Sequence, residues 1–327
     1  MIIAITYDLR EDYLAMGFNE EDAAEFDTIG TIEGIEEALH HAGHETERIG
    51  HLRLLMEALL AGRRWDMVFN ICEGFYGIGR EAQVPALLDA FSIPYVFSNP
   101  LVLSLTLDKG MTKRIIRDAG IPTANFAVVA KPADIPQVDL PYPLFVKPVA
   151  EGTGKGISGD SIIRDPEALK NRCLYLLKRF HQPVLVETFL PGREFTVGIT
   201  GTGDEAAVTG VMEVLLTVKA EPGVYSYTNK EEWRERCTYQ LATGEIAAAC
   251  EKVALAAWNA LNCEDGGRID LRCDANGIPN FIEVNPLAGM NPVYSDLPML
   301  SRMNGISYNE LIQRIMTSAV KKIQMDE

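Results

Sequence analysis

The sequence predicts an α/β lobe built on a doubly wound parallel sheet, followed by smaller α+β lobes. Three observations predict it. Apolar strand runs alternate with helical faces over residues 1–100, a Gly-rich run at 151–156 directly follows an apolar strand, and Gly266–Met290 reads as a β-hairpin. A chain of 327 residues exceeds one ordinary domain, so two or three compact lobes are expected.

Residues 2–7, IIAITY, form the first strand. Ile32, Ile35, Ala38 and Leu39 then share a helical face stopped by Gly43, and a second helix at 52–60 closes at Gly62. Asp66–Ile71 is a buried strand. The loop CEGFYGIGRE follows, then a helix near 82–91 and the strand PYVFS. In such a sheet, ligands sit beyond the carboxyl ends of the strands, which puts the 72–81 loop at a substrate mouth. Asn99-Pro100 interrupts the alternation, and a helix runs from Asp108 to Gly120, followed by Pro122. FAVVA and LFVKPV are strands of a smaller lobe. Asp165-Pro166-Glu167 opens a helix to about Phe180, with an N-cap and a proline at the first helical position. VLVETFL at 184–190 leaves this lobe. Strands at 193–200 and 205–218, an Ala-rich helix near 244–261, the hairpin and a helix near 307–324 complete the chain, with no internal repeat.

Composition bounds the function. A net charge of −16 argues against a nucleic-acid surface, though it permits a locally basic pocket. No apolar run approaches a membrane span, and MIIAITYDLR enters a strand directly, so neither a membrane partner nor a signal peptide is expected. The six cysteines, at 72, 173, 237, 250, 263 and 273, contain no C-x-x-C, which suits reduced thiols in a cytoplasmic protein. Cys72 stands out only because it adjoins a glycine-rich loop.

In the hairpin, the turn Asp274-Ala275-Asn276-Gly277 tolerates tight backbone angles. Residues two apart share a face, so Arg268, Asp270 and Arg272 are expected to project together, as are Phe281, Glu283 and Asn285. Two carboxylates and an amide oxygen suit Mg²⁺ carrying nucleotide phosphates. The hairpin alone also allows a solvated surface with scattered charges. Glu151-Gly152-Thr153-Gly154-Lys155-Gly156 lacks the spacing of a Walker A loop, yet its backbone N–H groups could wrap a phosphate. Lys147, in an otherwise apolar strand, needs an anionic partner if it points into a pocket, and Lys109 and Lys230 are similar candidates.

Read in order, LDKGMTK, FVKPVAEGTGKG, VLVETFLPGREFTV, VYSYTNK, GRIDLRCDANGIPNFIEVNP and LAGMNPVYSDLP resemble the ATP-grasp superfamily, and within it the D-alanine–D-alanine ligase group. The resemblance covers about two thirds of the chain. It implies three lobes: a Rossmann-like substrate lobe at 1–103, a central ATP-grasp lobe at 104–187, and a C-terminal lobe at 188–327 carrying the metal and catalytic site. It further implies that Lys109 and Lys147 contact ATP phosphates, with Thr153 and Gly154 in the loop that closes over them. Glu187, Phe189 and Leu190 would meet the adenine, Glu194 the ribose, and Lys230 the terminal phosphates from a mobile loop, Tyr225–Glu231. Asp270, Glu283 and Asn285 would hold two Mg²⁺ ions, with Mn²⁺ an alternative. Arg268 and the Gly289 N–H would stabilise the oxyanion, and Ser295 would hold the second substrate. A homodimer is also implied.

Departures from the family pattern fall where substrates bind. The family's Gly-Gly-x-Ser-x-Glu loop is absent, and Thr6-Tyr7-Asp8-Leu9-Arg10 stands in its place. Cys72-Glu73-Gly74 replaces a His-Gly pair, Thr188 a frequent lysine, Glu231 an aromatic residue, and Ala288-Gly289 a Pro-Gly. One residue is inserted before Ser295. Asp8, Arg10, Glu73, Arg80 and Glu81 are therefore the candidates for the first-substrate pocket, each also readable as a loop charge. The function this predicts is an ATP-dependent carboxylate–amine ligase acting on small molecules through an acylphosphate. D-alanine–D-alanine ligation itself, a catalytically silent ATP-binding module, and capture by a hydroxyl or thiol remain as alternatives.

Overall fold

The computed structural model describes every residue except Glu21, Pro222, Tyr225 and Glu327. Its first sheet contains β1 (Ile2–Tyr7), β2 (Glu45–Gly50) and β3 (Met67–Ile71), all parallel in the order β2-β1-β3. Helices α1 (Arg10–Ala15), α2 (Ile29–His41), α3 (Leu52–Leu60) and α4 (Gln83–Ala90) surround it. The two-residue period of a strand divides its packing. Ile3, Ile5, Met67 and Phe69 meet Ile32, Ile35 and Leu39 of α2, while Ala4 and Val68 meet Leu55, Leu59 and Leu88 from the other side. Helices thus cover both faces, as doubly wound alternation requires.

One strand here was not expected, and one expected strand is not formed. The strand β2 has no apolar signature because ETERIG lies at the sheet edge and is mostly part-exposed. PYVFS makes only a single bridge, Val68 to Tyr95, and Phe97 at φ 77° then carries the chain out of the sheet.

Asn99-Pro100, which interrupts the alternation, starts a helix. Asn99 Oδ1 accepts the N–H groups of Leu101 and Val102 at 3.1 Å, and Pro100 needs no donor at the first helical position. This helix, α5 (Pro100–Leu107), is followed by α6 (Lys109–Asp118), whose N-cap Asp108 accepts from Met111 N–H. The second sheet is antiparallel: β4 (Phe126–Val129), β5 (Leu144–Pro148), β6 (Ile162–Ile163) and β7 (Val184–Thr188), in the order β4-β7-β5-β6. Leu169, Cys173 and Leu176 of α7 (Pro166–Phe180) seal one face.

The third sheet contains β8 (Glu194–Thr200), β9 (Ala207–Leu216), β10 (Cys237–Leu241), β11 (Gly266–Cys273) and β12 (Pro279–Asn285), antiparallel in the order β10-β9-β8-β11-β12. Short helices α8 (Tyr227–Glu231) and α9 (Trp233–Arg236) precede β10, and α10 (Gly244–Ala260) covers one face with Cys250, Ala254 and Trp258. Ile269 and Leu271 point into that core, so Arg268, Asp270 and Arg272 face the opposite way. After α11 (Asp296–Met303), α12 (Tyr308–Asp326) returns to the first sheet, packing Leu311, Ile312 and Ile315 with Ile32 and Ile35. Among the described residues no helix is long and apolar enough to cross a membrane.

The hairpin corrects one expected grouping. Asp270 pairs with Glu283, but Leu271 pairs with Phe281, so Ile282 is an extra residue in β12. Such a bulge inverts the alternation. Phe281 therefore turns into the core with α10 instead of sharing a face with Glu283 and Asn285. The turn follows expectation: Gly277 adopts φ 80°, and Asp274 Oδ1 accepts the N–H groups of Asn276 and Ile278 at 2.8 and 3.0 Å. Because Phe281 is fully enclosed, Phe281→Ala should lose about 3–5 kcal/mol of stability, measured by urea unfolding.

Candidate active site

The faces left uncovered by α7 and α10 meet in a cleft. Its inner part is lined by Phe145, Ile157, Phe189, Leu190 and Ile282, an apolar slot rimmed by Lys147, Glu187, Glu194 and Arg272. Glu187, on β7, is held by two lysines: Lys113 Nζ at 2.5 Å and Lys147 Nζ at 3.3 Å. Burial pushes the Glu187 carboxyl up, but these cations outweigh it and hold it below its ordinary range. Arg272 lies over the Phe189 ring, contacts Glu194 at 3.1 Å and donates to Gly223 O at 2.9 Å. Thr188 Oγ1 and Arg272 Nε are buried here without a hydrogen-bond partner among the described residues. Buried polar atoms of that kind normally have partners, and a bound polar ligand would supply them.

The slot opens into a cavity of about 520 Å³, and Lys230 and Glu283 line both. The junction is strongly charged. Arg268 stands between Asp270, with which it is ion-paired and hydrogen-bonded, and Asp296, 3.8 Å from its Nε. Thr196 Oγ1 donates to Asp270 at 2.9 Å, and Asn285 Nδ2 lies 3.5 Å from it. Lys109 Nζ sits 3.5 Å from Glu283 and donates to Glu151 O at 2.7 Å. Burial raises the Glu283 carboxyl, yet Lys109, Lys147, Lys230 and Arg268 together hold it far below its usual range. It is therefore a persistent anion.

The outer end of the cavity lies under the first sheet. Glu73, Arg80 and Glu81 line it, as do Arg10, Glu25 and Asp27. Glu25 is the hub of a latch. It meets Arg80 at 2.9 Å and Lys155 at 3.3 Å, and accepts the Gly152 N–H at 2.9 Å. Arg80 also donates to Ala150 O at 3.1 Å. The Gly-rich loop is thereby fastened to the first lobe. At its tip Gly154 adopts φ 78°, and a Cβ there would lie 3.0 Å from Tyr227 N, so the loop abuts the start of α8. Tyr225, at the start of the expected mobile segment, lies outside the described residues.

A family model described as D-ala D-ala ligase C-terminus matches residues 115–317. A D-alanine–D-alanine ligase of Bordetella petrii is 34% identical, with 89% of this chain and 86% of that protein aligned. The chain belongs to the D-alanine–D-alanine ligase family. It is thus an ATP-grasp enzyme, an ATP-dependent ligase that forms amide bonds. An uncharacterised protein of Sinorhizobium fredii, y4sG, is 30% identical over 87% of this chain and 86% of its own length. The fold matches the crystal structure of a D-alanine–D-alanine ligase from Bacillus anthracis complexed with ATP, with a TM-score of 0.75, 22% identity and complete coverage of both chains.

Within this ligase, most residues singled out from the sequence converge. Lys147, Glu187, Phe189, Leu190, Glu194 and Asp270 line the slot, while Lys109, Thr153, Arg268, Asn285, Gly289 and Ser295 line the cavity. Ser295 Oγ accepts the Asn291 N–H at 3.0 Å, bracing the loop before α11. Of the first-substrate candidates Asp8 alone lies outside the cavity, while Arg10 and Arg80 line it and are engaged in ion pairs. Asp8 lines neither space, because its carboxylate accepts from Tyr13 Oη at 2.6 Å and Gly74 N–H at 2.8 Å and braces the first βα corner. Arg10 is ion-paired to exposed Glu20, and Arg80 is committed to the latch. Cys72 is a core thiol whose burial pushes it well above the ordinary value.

Glu25, Lys113, Arg272 and Asp296 were not anticipated as site residues. Glu25 is hidden in an acidic run, NEEDAAEFD, that reads as solvated, and Lys113 is fully buried within an otherwise polar helix. Only Arg272 carried a signal, its shared strand face with Arg268 and Asp270.

The latch makes a pH-dependent prediction. Arg80 and Lys155 depress the Glu25 carboxyl below its ordinary 4.5, despite burial. A depressed carboxyl stabilises the fold above its unfolded value and loses that contribution as pH falls through the folded one. Glu25→Ala should therefore cost about 3–5 kcal/mol near neutrality, a difference that shrinks below pH 4.5. Denaturant titrations at several pH values would measure it.

Proposed function

We propose that this ligase joins the carboxylate of one amino-acid-like molecule to the amine of another, and that the charged junction is where both steps occur. The single observation that carries this reading is Arg268, enclosed between Asp270 and Asp296 at the point where the nucleotide slot meets the cavity. A half-buried guanidinium so placed can receive an oxygen that gains negative charge.

Lys109, Lys147 and Lys230 would neutralise the phosphates, and Phe189, Leu190 and Glu194 would seat the nucleoside. Asp270, Glu283 and Asn285 fit Mg²⁺ in donor chemistry: hard oxygens, one of them on a carboxylate held ionised. Among the described residues no group of three or more His, Cys, Asp or Glu side chains forms a metal cage. That suits Mg²⁺, which is commonly held by one or two carboxylates together with substrate phosphates. When bound, the metal would neutralise charge on the transferring phosphoryl group.

In the first step a carboxylate oxygen of the donor bonds to the γ-phosphorus, the bond to ADP breaks, and an acylphosphate results. In the second, the acceptor amine adds to the carbonyl carbon. Arg268 and the Gly289 N–H would hold the oxyanion, phosphate leaves with the C–O bond, and the amine sheds a proton. The Gly-rich loop, held by the latch, would exclude water from the labile intermediate. A cytoplasmic setting, where ATP is abundant, goes with this chemistry. The relatives' names favour D-alanine as both substrates as the second reading, and ADP release with D-alanine alone, accompanied by dipeptide, would select it.

Arg268→Ala should lower turnover by about 10²–10³ or more while nucleotide still binds. Steady-state ADP release and ATP titration calorimetry would check this, and near-normal turnover would reject the assignment.

A further inference from the structure

The cavity is polarised along its length. Lys109, Lys230, Arg234 and Arg268 outnumber Glu283 and Asp296 at the end by the third sheet, whereas Glu25, Asp27, Glu73 and Glu81 outnumber Arg10 and Arg80 at the end beneath the first. These acids line the same open cavity as Arg268, and its size of about 520 Å³ suits a small molecule.

The protein does not balance the acidic end. Arg80 and Lys155 are matched to Glu25, and the other arm of Arg80 goes to Ala150 O. Arg10 is matched to Glu20, and Asp27 accepts a hydrogen bond from Thr31. Among the described residues, the Glu73 and Glu81 side chains have neither a hydrogen bond nor an ion pair. Burial, then the field of Glu81, pushes the Glu73 carboxyl well up, and burial raises Glu81 to about 7 against the pull of Arg80. Two half-buried carboxyls within each other's field, with the ion pair of Arg80 already given to Glu25, are costly as anions. One α-ammonium can neutralise one of them and leaves the other unmatched.

We propose that the carboxylate donor is a diamino acid, an amino acid with a second cationic group on its side chain. Its carboxylate lies toward Lys109, Lys230 and Arg268, and its two cations face Glu73 and Glu81. This rests on the ligase reading above and specifies that ligase's first substrate. A neutral side chain leaves a carboxylate unmatched, and an acidic one adds a like charge.

The test is ADP release by the whole chain with ATP and MgCl₂, using each enantiomer of 2,4-diaminobutyrate, ornithine and lysine against alanine, norvaline and glutamate. Each is supplied alone and with D-alanine as acceptor. Ornithine or another diamino acid should exceed its uncharged counterpart in kcat/KM by about tenfold or more, the worth of one charge-assisted contact. Glu73→Gln and Glu81→Gln should each narrow that ratio mainly through KM. Norvaline or alanine matching the diamino acids in the wild type overturns the inference while leaving the ligase reading intact. So does an unchanged ratio in both variants. Silence with every amino acid, despite ATP binding, removes the ligase reading and this inference together.

Discussion

Carboxylates half removed from water must be kept ionised by cations brought from other parts of the chain, and the cleft depends on this constraint. Glu283 shows it most clearly. Its neighbours Lys109, Lys147, Lys230 and Arg268 come from α6, β5, α8 and β11, so no single lobe could sustain the anion. Two further hubs follow the same rule. Glu187 gathers Lys113 and Lys147, and Glu25 gathers Arg80 and Lys155. Against apolar replacement, buried pairs of this kind roughly break even in stability. Their consequence is alignment: removing one partner strands a charge, so the lobes are held in the register that keeps these three carboxylates matched.

A one-residue irregularity sets the floor of the site. Without the bulge at Ile282, strict alternation from Glu283 would turn Phe281 toward the cleft and leave the core beneath α10 unfilled. With it, Phe281 fills that core while Glu283 still opposes Asp270 across the hairpin. Packing and chemistry make incompatible demands on a regular strand, and the extra residue satisfies both.

The latch links the acidic end of the cavity to the glycine-rich loop. Glu25 reaches across to Gly152 and Lys155, and Arg80 to Ala150, so the segment that lines the acidic end also holds the glycine-rich turn. Changes in the first lobe are therefore felt at the glycine-rich loop. Leaving Glu73 and Glu81 outside this network divides the charged residues of one loop into structural and ligand-facing groups.

Local order was written plainly in the chain. The hairpin, its Asp-Ala-Asn-Gly turn, the capped helix after Asp165, the glycine-rich run and the two-faced strand carrying Arg268 and Asp270 all follow from short periods and backbone preferences within a few residues. What the sequence could not decide was partnership. Glu25 with Gly152, Lys113 with the Phe281 carbonyl, and Phe97 with Asp265 pair residues 127, 168 and 168 positions apart, and such separations leave no periodic trace. Arg80 and Glu81 are adjacent charges that both line the cavity, yet folding commits one to an ion pair with Glu25 and leaves the other without one among the described residues. Residue type determined which chemistry was available, and the three sheets determined which groups lost their water and had to find one another.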